Sequence, residues 1–475
     1  MNGTRKPYVR ETFDREEKLY FLKVALLIIM VYFFQDAISQ FMAIFALALP
    51  MLIMLYLYTQ AINSGETFSS VLRKQITLVP VPYAEGGKKR FMPWAAITLI
   101  AINVIVFYVT HSLPAASLEF IEKSYMFLPI HRTALNLLLS PWLCMFLHAN
   151  AGHLWGNMIF LWAFAPAVEE KLGAKRLVFF YLLTGLIGSL TSLVFGRLFF
   201  SETLHGMGAS GAVCGIMGVF MVRCYFRKLV IPVPIFAIVY FKLKVNSLLP
   251  LGFFFLRDLG GGISQLTGSR SAIGYWAHIG SLLIGVLLAM LFKLQRAAVE
   301  DKYTEAGLAA IDNQHSRRES REPLQKALEL NPDNQAALLG LAREYAVTRK
   351  PEGRELFARA ITVMLRSSPE QAAAAYKEYI SAYNRMLEPD LQYRLAGVLY
   401  RQHDLEAALR ALEMVISEPS ANDQTRQNAC SHLIAMLAEN NMPAAAQFRL
   451  GQFKELFPQS TLLKMTEDKL AERLK

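Results

Sequence analysis

Long apolar runs separated by short polar breaks fill the first 297 residues, after which the pattern changes to polar, helix-forming sequence. Leu19 to Phe34 and Phe41 to Tyr58 are parted only by Gln35 to Gln40, which predicts a helical hairpin across a hydrocarbon layer about 30 Å thick. After a polar stretch with Arg73, Lys74, Lys88, Lys89 and Arg90, further spans are predicted at Met92–Thr110, Leu154–Glu170, Arg176–Phe199, Ser210–Phe226, Val245–Ile263 and Tyr275–Phe292. Between the fourth and fifth of these, LVIPVPIFAIVYF is apolar but only 13 residues long and holds Pro232 and Pro234, so an interfacial or re-entrant connector is expected. A separate crossing there would invert the following span and put His278 at the opposite face from Ser210.

The last third reads as stacked helical hairpins. ALELNPDNQAALLGLAREYA has the helix, Asn-Pro turn and next helix of a tetratricopeptide unit, with Leu341, Ala342 and Tyr345 at packing positions. Copies with similar spacing place Leu395, Ala408 and Leu412, then Leu433, Ala446, Leu450 and Pro458. An unrelated helical bundle is the alternative. The fold class expected is therefore all-α: a polytopic membrane bundle followed by a soluble α-solenoid. The boundaries are 1–60 for the tail and hairpin, 61–91 for a basic linker, 92–297 for a six-span core and 298–475 for the repeats.

Composition agrees with lipid: 54% of residues are hydrophobic, too many for an ordinary soluble chain. The formal charge of +11 raises the possibility of nucleic acid, but the basic residues collect beside apolar runs, where they meet lipid head groups and orient spans. Lys171, Lys175 and Arg176, then Arg223, Arg227 and Lys228, then Lys293 and Arg296 follow alternate spans, so those ends, the N-terminus and the repeat domain are expected in the cytosol. The leader MNGTRKPYVRETFDREEK mixes charge signs and lacks a small-residue cleavage site, so the first span is expected to stay. Cys144, Cys214, Cys224 and Cys430 have neither ligand nor disulfide spacing, and no metal or cofactor is expected.

Three strings carry candidate chemistry. In HGMGASGAVCGIMG, residues 205–218, Gly208, Gly211, Gly215 and Gly218 strip one helix face and allow close backbone approach. Ser210, at the start of that helix, sits beside unpaired N–H groups and the positive end of the dipole. In GYWAHIGSLLIG, residues 274–285, His278 lies near the start of the last span, with Ser281 and Gly285 thinning the same face. A histidine inside a span is costly and marks a functional site by default, and Ser210 is its natural partner. In HANAGHLWGN, residues 148–157, His153 and Asn157 are four apart on one helical face, two donors suited to an oxyanion.

Together the GASG serine, the AH of the last span, the HxxxN pair with His148 five residues before His153, and AVEEKLG resemble the rhomboid family of intramembrane serine proteases over about residues 92–297. The resemblance implies a Ser210–His278 catalytic dyad and an oxyanion hole made by His153, Asn157 and the Ser210 backbone N–H. It also implies structural support from His148, Glu169, Gly208, Gly211, Ser281 and Gly285, and a membrane-embedded outer loop within Thr110 to Asn150. Three departures stand out. Pro141-Trp142-Leu143 lies where many members have Trp-Arg, Cys214 where a tyrosine often stacks on the histidine, and Ser281 where glycine is usual. No third acid is evident, so a dyad oriented by packing is expected. The substrates implied are transmembrane proteins cut near the outer face, with a cytosolic protein partner on the repeats and no nucleic acid. The alternative is a catalytically silent relative that binds membrane clients as an adaptor.

Overall fold

The computed structural model describes residues 15–33, 51–85, 91–128, 130–131, 133–199, 206–236, 238–269, 271, 273–312 and 317–473. The turn of the expected N-terminal hairpin and the start of its second run lie outside them, as do Lys88, Lys89, Arg90 and His205. The chain divides into two units, Met1–Ala298 and Val299–Lys475.

The first unit begins with α1 (Arg15–Phe33), α2 (residues 51–64), α3 (Phe68–Gln75), β1 (Ile76–Thr77) and β2 (Tyr83–Ala84). Next come α4 (Trp94–His111), α5 (Ala115–Tyr125), α6 (Ala134–Leu143), a 3-10 turn at Cys144–Phe146, α7 (Ala151–Leu172), α8 (Ala174–Phe199) and α9 (Ser210–Arg223). The unit continues through β3 (Lys228–Phe236), β4 (Val239–Asn246), α10 (Leu248–Leu266) and α11 (Tyr275–Leu291). The six spans expected of the core are helices α4 and α7 to α11, with ends within three residues of those read from hydropathy. Helices α4 and α8 are each long and apolar enough to cross a membrane, and α7 follows the α6 segment in an apolar pair bent by 75°.

The all-α expectation needs one correction. The run read as an interfacial or re-entrant connector is an antiparallel β-hairpin, β3 with β4, inside a four-stranded sheet of order β1-β4-β3-β2. Its Val, Ile, Phe and Tyr content favours a pleated strand over a short helix, and two prolines within three residues would break a helix. Both prolines fit the strand. Lys228 turns its carbonyl toward the β2 side, where it accepts from Glu85 N at 2.7 Å, and residues four and six further along face the same way. Pro232 and Pro234, opposite Lys242 and Tyr240, therefore aim their missing N–H groups at that side, beyond the two-residue reach of β2. The sheet buries Ile235 with Ile53, Leu57 and Ala61 of α2 and Val71 of α3.

The core of the unit is built around α9. Ten of its side chains or glycine positions are buried, among them Ile216, Met217, Val219 and Phe220, and they pack with Leu154, Leu161 and Phe164 of α7 and Phe180 and Tyr181 of α8. Its 14 residues extend about 21 Å at 1.5 Å per residue, shorter than a hydrocarbon layer of about 30 Å. At that length α9 does not by itself bridge such a layer. Because β3–β4 turns the chain back, α10 runs opposite to α9 and α11 starts again at the serine end. Helix α1 lies on α10, with Ile28 against Gly252 and the Tyr32 hydroxyl 2.6 Å from where a Cβ on Gly260 would be.

Helices are the only regular elements of the second unit among its described residues. Helix α12 (Leu294–Asp312) leads into α13 (Arg317–Leu330), α14 (Gln335–Ala346), α15 (Pro351–Ser367), α16 (Pro369–Tyr383) and α17 (Pro389–Arg401). Then follow α18 (Leu405–Ser417), α19 (Asp423–Glu439), α20 (Pro443–Leu456) and α21 (Thr461–Arg473). Proline at the first position of four of these helices supplies a preset φ where no N–H is needed. Of the ten residues picked from repeat spacing, Leu341, Ala342, Leu395, Ala408, Leu412, Leu433 and Ala446 are buried, whereas Tyr345 and Leu450 are half-buried and Pro458 is exposed.

Candidate active site

The Ser210 end of α9 is held by a loop with few options. Phe127 N donates to Gly206 O at 2.8 Å, Gly208 N donates to Cys144 O at 2.8 Å, and Ala209 N donates to His148 Nε2 at 3.4 Å. Gly208 has φ +122°, a conformation open mainly to glycine. A Cβ there would lie 2.6 Å from His153 Cε1 and 3.7 Å from Asn157 Nδ2, so only glycine lets the loop reach these side chains. Asn150 starts α7 by accepting from His153 N at 2.9 Å, which fixes the turn presenting His153 and, one turn on, Asn157.

His278 approaches from α11 because two helices meet almost backbone to backbone. A Cβ on Gly285 would stand 2.2 Å from Gly215 O, and one on Gly218 would stand 2.2 Å from Leu282 O. Nearer the site, Ser281 Oγ donates to Thr184 O at 3.0 Å and lies 3.2 Å from a Cβ built on Gly211. His278 is one turn above Ser281, and Ser210 is next to Gly211.

The result is a cavity of about 730 Å³ whose wall includes Ser210, His278, His153, Asn157, Gly208 and Gly211. No hydrogen bond joins Ser210 to His278 among the described residues. Asn157 Nδ2 is buried with no partner, a donor left free at the cavity wall. His148 lies buried behind the serine loop, its ring 5.2 Å from that of His153. Glu169 sits elsewhere, buried in α7, where its carboxylate accepts from Ala95 N at 2.9 Å and Ala96 N at 2.8 Å and so ties down the first turn of α4.

One expectation from the sequence fails here. An acid-free pair was expected, yet His278 Nδ1 is 2.7 Å from Oδ2 of Asp258, a buried residue of α10. The other oxygen, Oδ1, accepts from Arg257 Nε at 3.2 Å and Nη2 at 2.9 Å. The signal was available: an ionisable residue inside a predicted span is a functional candidate whether or not a known motif contains it. Phe254, also on α10, sets its ring 6.1 Å from the His278 ring. Cys214 is buried, and with no ring to offer at that position, the aromatic neighbour comes from another helix.

Comparison with known proteins matches this region. Residues 137–295 match the rhomboid domain. That segment contains Ser210, His278, both candidate oxyanion donors and Asp258. With its apolar helices it makes the chain an integral, multi-pass membrane protein. Similar proteins include the rhomboid protein YdcA of Bacillus subtilis, 38% identical over 82 residues, 17% of this chain and 39% of YdcA. Rhomboid protease GluP of the same organism is 30% identical over 163 residues, 33% of this chain and 26% of GluP. Rhomboid protease AarA of Providencia stuartii is 25% identical over 229 residues, 45% of this chain and 78% of AarA. The chain thus spans well under half the length of YdcA and GluP.

Proposed function

We propose that this chain is an intramembrane serine endopeptidase of the rhomboid type, with Ser210 as nucleophile and His278 as its base. The observation that carries the reading is one cavity lined by a helix-start serine, a histidine whose far nitrogen is engaged, and an asparagine donor without a partner. In the proposed reaction His278 Nε2 accepts the Ser210 hydroxyl proton as Oγ attacks a peptide carbonyl. The oxyanion is met by Asn157 Nδ2, His153 and the Ser210 backbone N–H. The C–N bond then breaks as His278 returns the proton to the departing amine, and water hydrolyses the acyl ester. The substrate is a transmembrane helix opened near the outer leaflet, and the helical unit at 299–475 binds a protein on the cytosolic side.

A fluorophosphonate probe tests the nucleophile. Purified protein should be labelled, and Ser210→Ala should abolish labelling; equal labelling of the two would refute the assignment. The partner of the second unit is tested by deleting residues 299–475 and comparing co-purified proteins from crosslinked membranes. An unchanged set would remove that part of the proposal.

A further inference from the structure

We infer that Asp258 is a positioning residue which, with Arg257, selects the tautomer of His278 and so completes a three-residue relay. This rests on the proteolytic reading of the same site. A carboxylate only accepts, so Oδ2 at 2.7 Å requires the proton on His278 Nδ1, leaving Nε2 with a lone pair for the Ser210 hydroxyl. The carboxylate cannot swing away, because Oδ1 is occupied by two N–H groups of Arg257 and the residue is buried. Arg257 and Asp258 are consecutive residues of α10, and His278 faces them from α11. Their hydrogen bonds share the job that packing alone was expected to do.

The Arg257 contacts give the idea a signature that a merely structural role does not share. In Asp258→Asn the amide oxygen is the group Arg257 holds, so the NH2 turns to His278 Nδ1. Donation to Nδ1 forces the ring proton onto Nε2, the wrong nitrogen for a base. In Asp258→Ala no group dictates the tautomer, and the productive form stays partly populated. The isosteric change should therefore be worse than the truncation, the reverse of what loss of packing would give.

The experiment measures fluorophosphonate labelling rate and cleavage of a transmembrane peptide in detergent for wild type, Ser210→Ala, Asp258→Asn and Asp258→Ala, each normalised to folded protein by thermal unfolding. Changing the triad aspartate to asparagine in soluble serine proteases costs about 10,000-fold in kcat. Here Asp258→Asn should lose at least about 100-fold in kcat with KM within about threefold, and Asp258→Ala should lose less. Asp258→Asn within about threefold of wild type overturns the inference, as does Asp258→Ala losing as much as or more than Asp258→Asn. In either case, labelling of wild type but not of Ser210→Ala leaves the protease assignment standing. No labelling of wild type at all removes both.

Discussion

Gly218 of α9 stands so close to Leu282 of α11 that a Cβ on the glycine would lie 2.2 Å from the leucine's carbonyl oxygen. With Gly215 and Gly285 a turn away, this contact sets the distance between the helices that bear Ser210 and His278. Gly218→Ala must push α11 off α9, and overpacking of this kind costs about 1–3 kcal/mol. The expected result is a lower unfolding temperature in detergent together with slower fluorophosphonate labelling. An unchanged labelling rate in the folded fraction would mean that α11 can retreat without moving His278.

Asn157 predicts the opposite balance. Its Nδ2 has no partner within the protein, so removing it sacrifices no internal hydrogen bond. Asn157→Ala should leave the unfolding temperature nearly unchanged while lowering kcat by about 100-fold or more, the usual effect of deleting one oxyanion donor. A large fall in stability with normal turnover would show that the side chain serves the fold instead.

Glu169 is expected to matter only for stability. Its two oxygens accept the first free N–H groups of α4, and replacing such a cap costs about 0.5–2 kcal/mol. Glu169→Ala should lower the unfolding temperature, and labelling at a temperature where the variant is still folded should match wild type. Labelling lost in folded protein would assign it a role at the site.

Asp404 in the second unit gives a pH test. The hydrogen bond from Lys377, reinforced by Ala407 N–H at the start of α18, holds its carboxyl below the usual range. A lowered folded-state pKa means stability that is present above the unfolded value of about 3.9 and lost as pH falls through the folded one. Asp404→Asn keeps a side chain that can cap α18 but removes the charge. On acidification below about pH 4, the thermal transition of this unit should fall more steeply in wild type than in Asp404→Asn, as followed by circular dichroism of the full chain. Parallel curves would exclude a contribution from this pair.

Much of the site was legible because its parts are local. The GASG string fixes both the helix start and the serine on it, and His153 and Asn157 share a face by spacing alone. Span positions follow from runs of apolar residues, which report burial in lipid whatever the rest of the chain does. Asp258 was passed over because its meaning depends on a neighbour 20 residues away on another helix. The string LLPLGFFFLRDLGGGISQL offers one charged pair and no hint of which way it faces.

The β-hairpin shows the same division. Hydropathy and the two prolines of LVIPVPIFAIVYF excluded a helical span, but the strand pairing required knowing that residues 76–77 and 83–84, some 150 positions earlier, lie beside it. Sequence by itself determined where the apolar helices of the first unit lie, where the serine helix begins and that the second unit is built of helices, since each depends on neighbours within a few turns. Tertiary structure alone decided which acid faces the histidine, which aromatic ring lies beside it and which strands close the sheet. Those contacts join groups far apart along the chain, and no local periodicity records them.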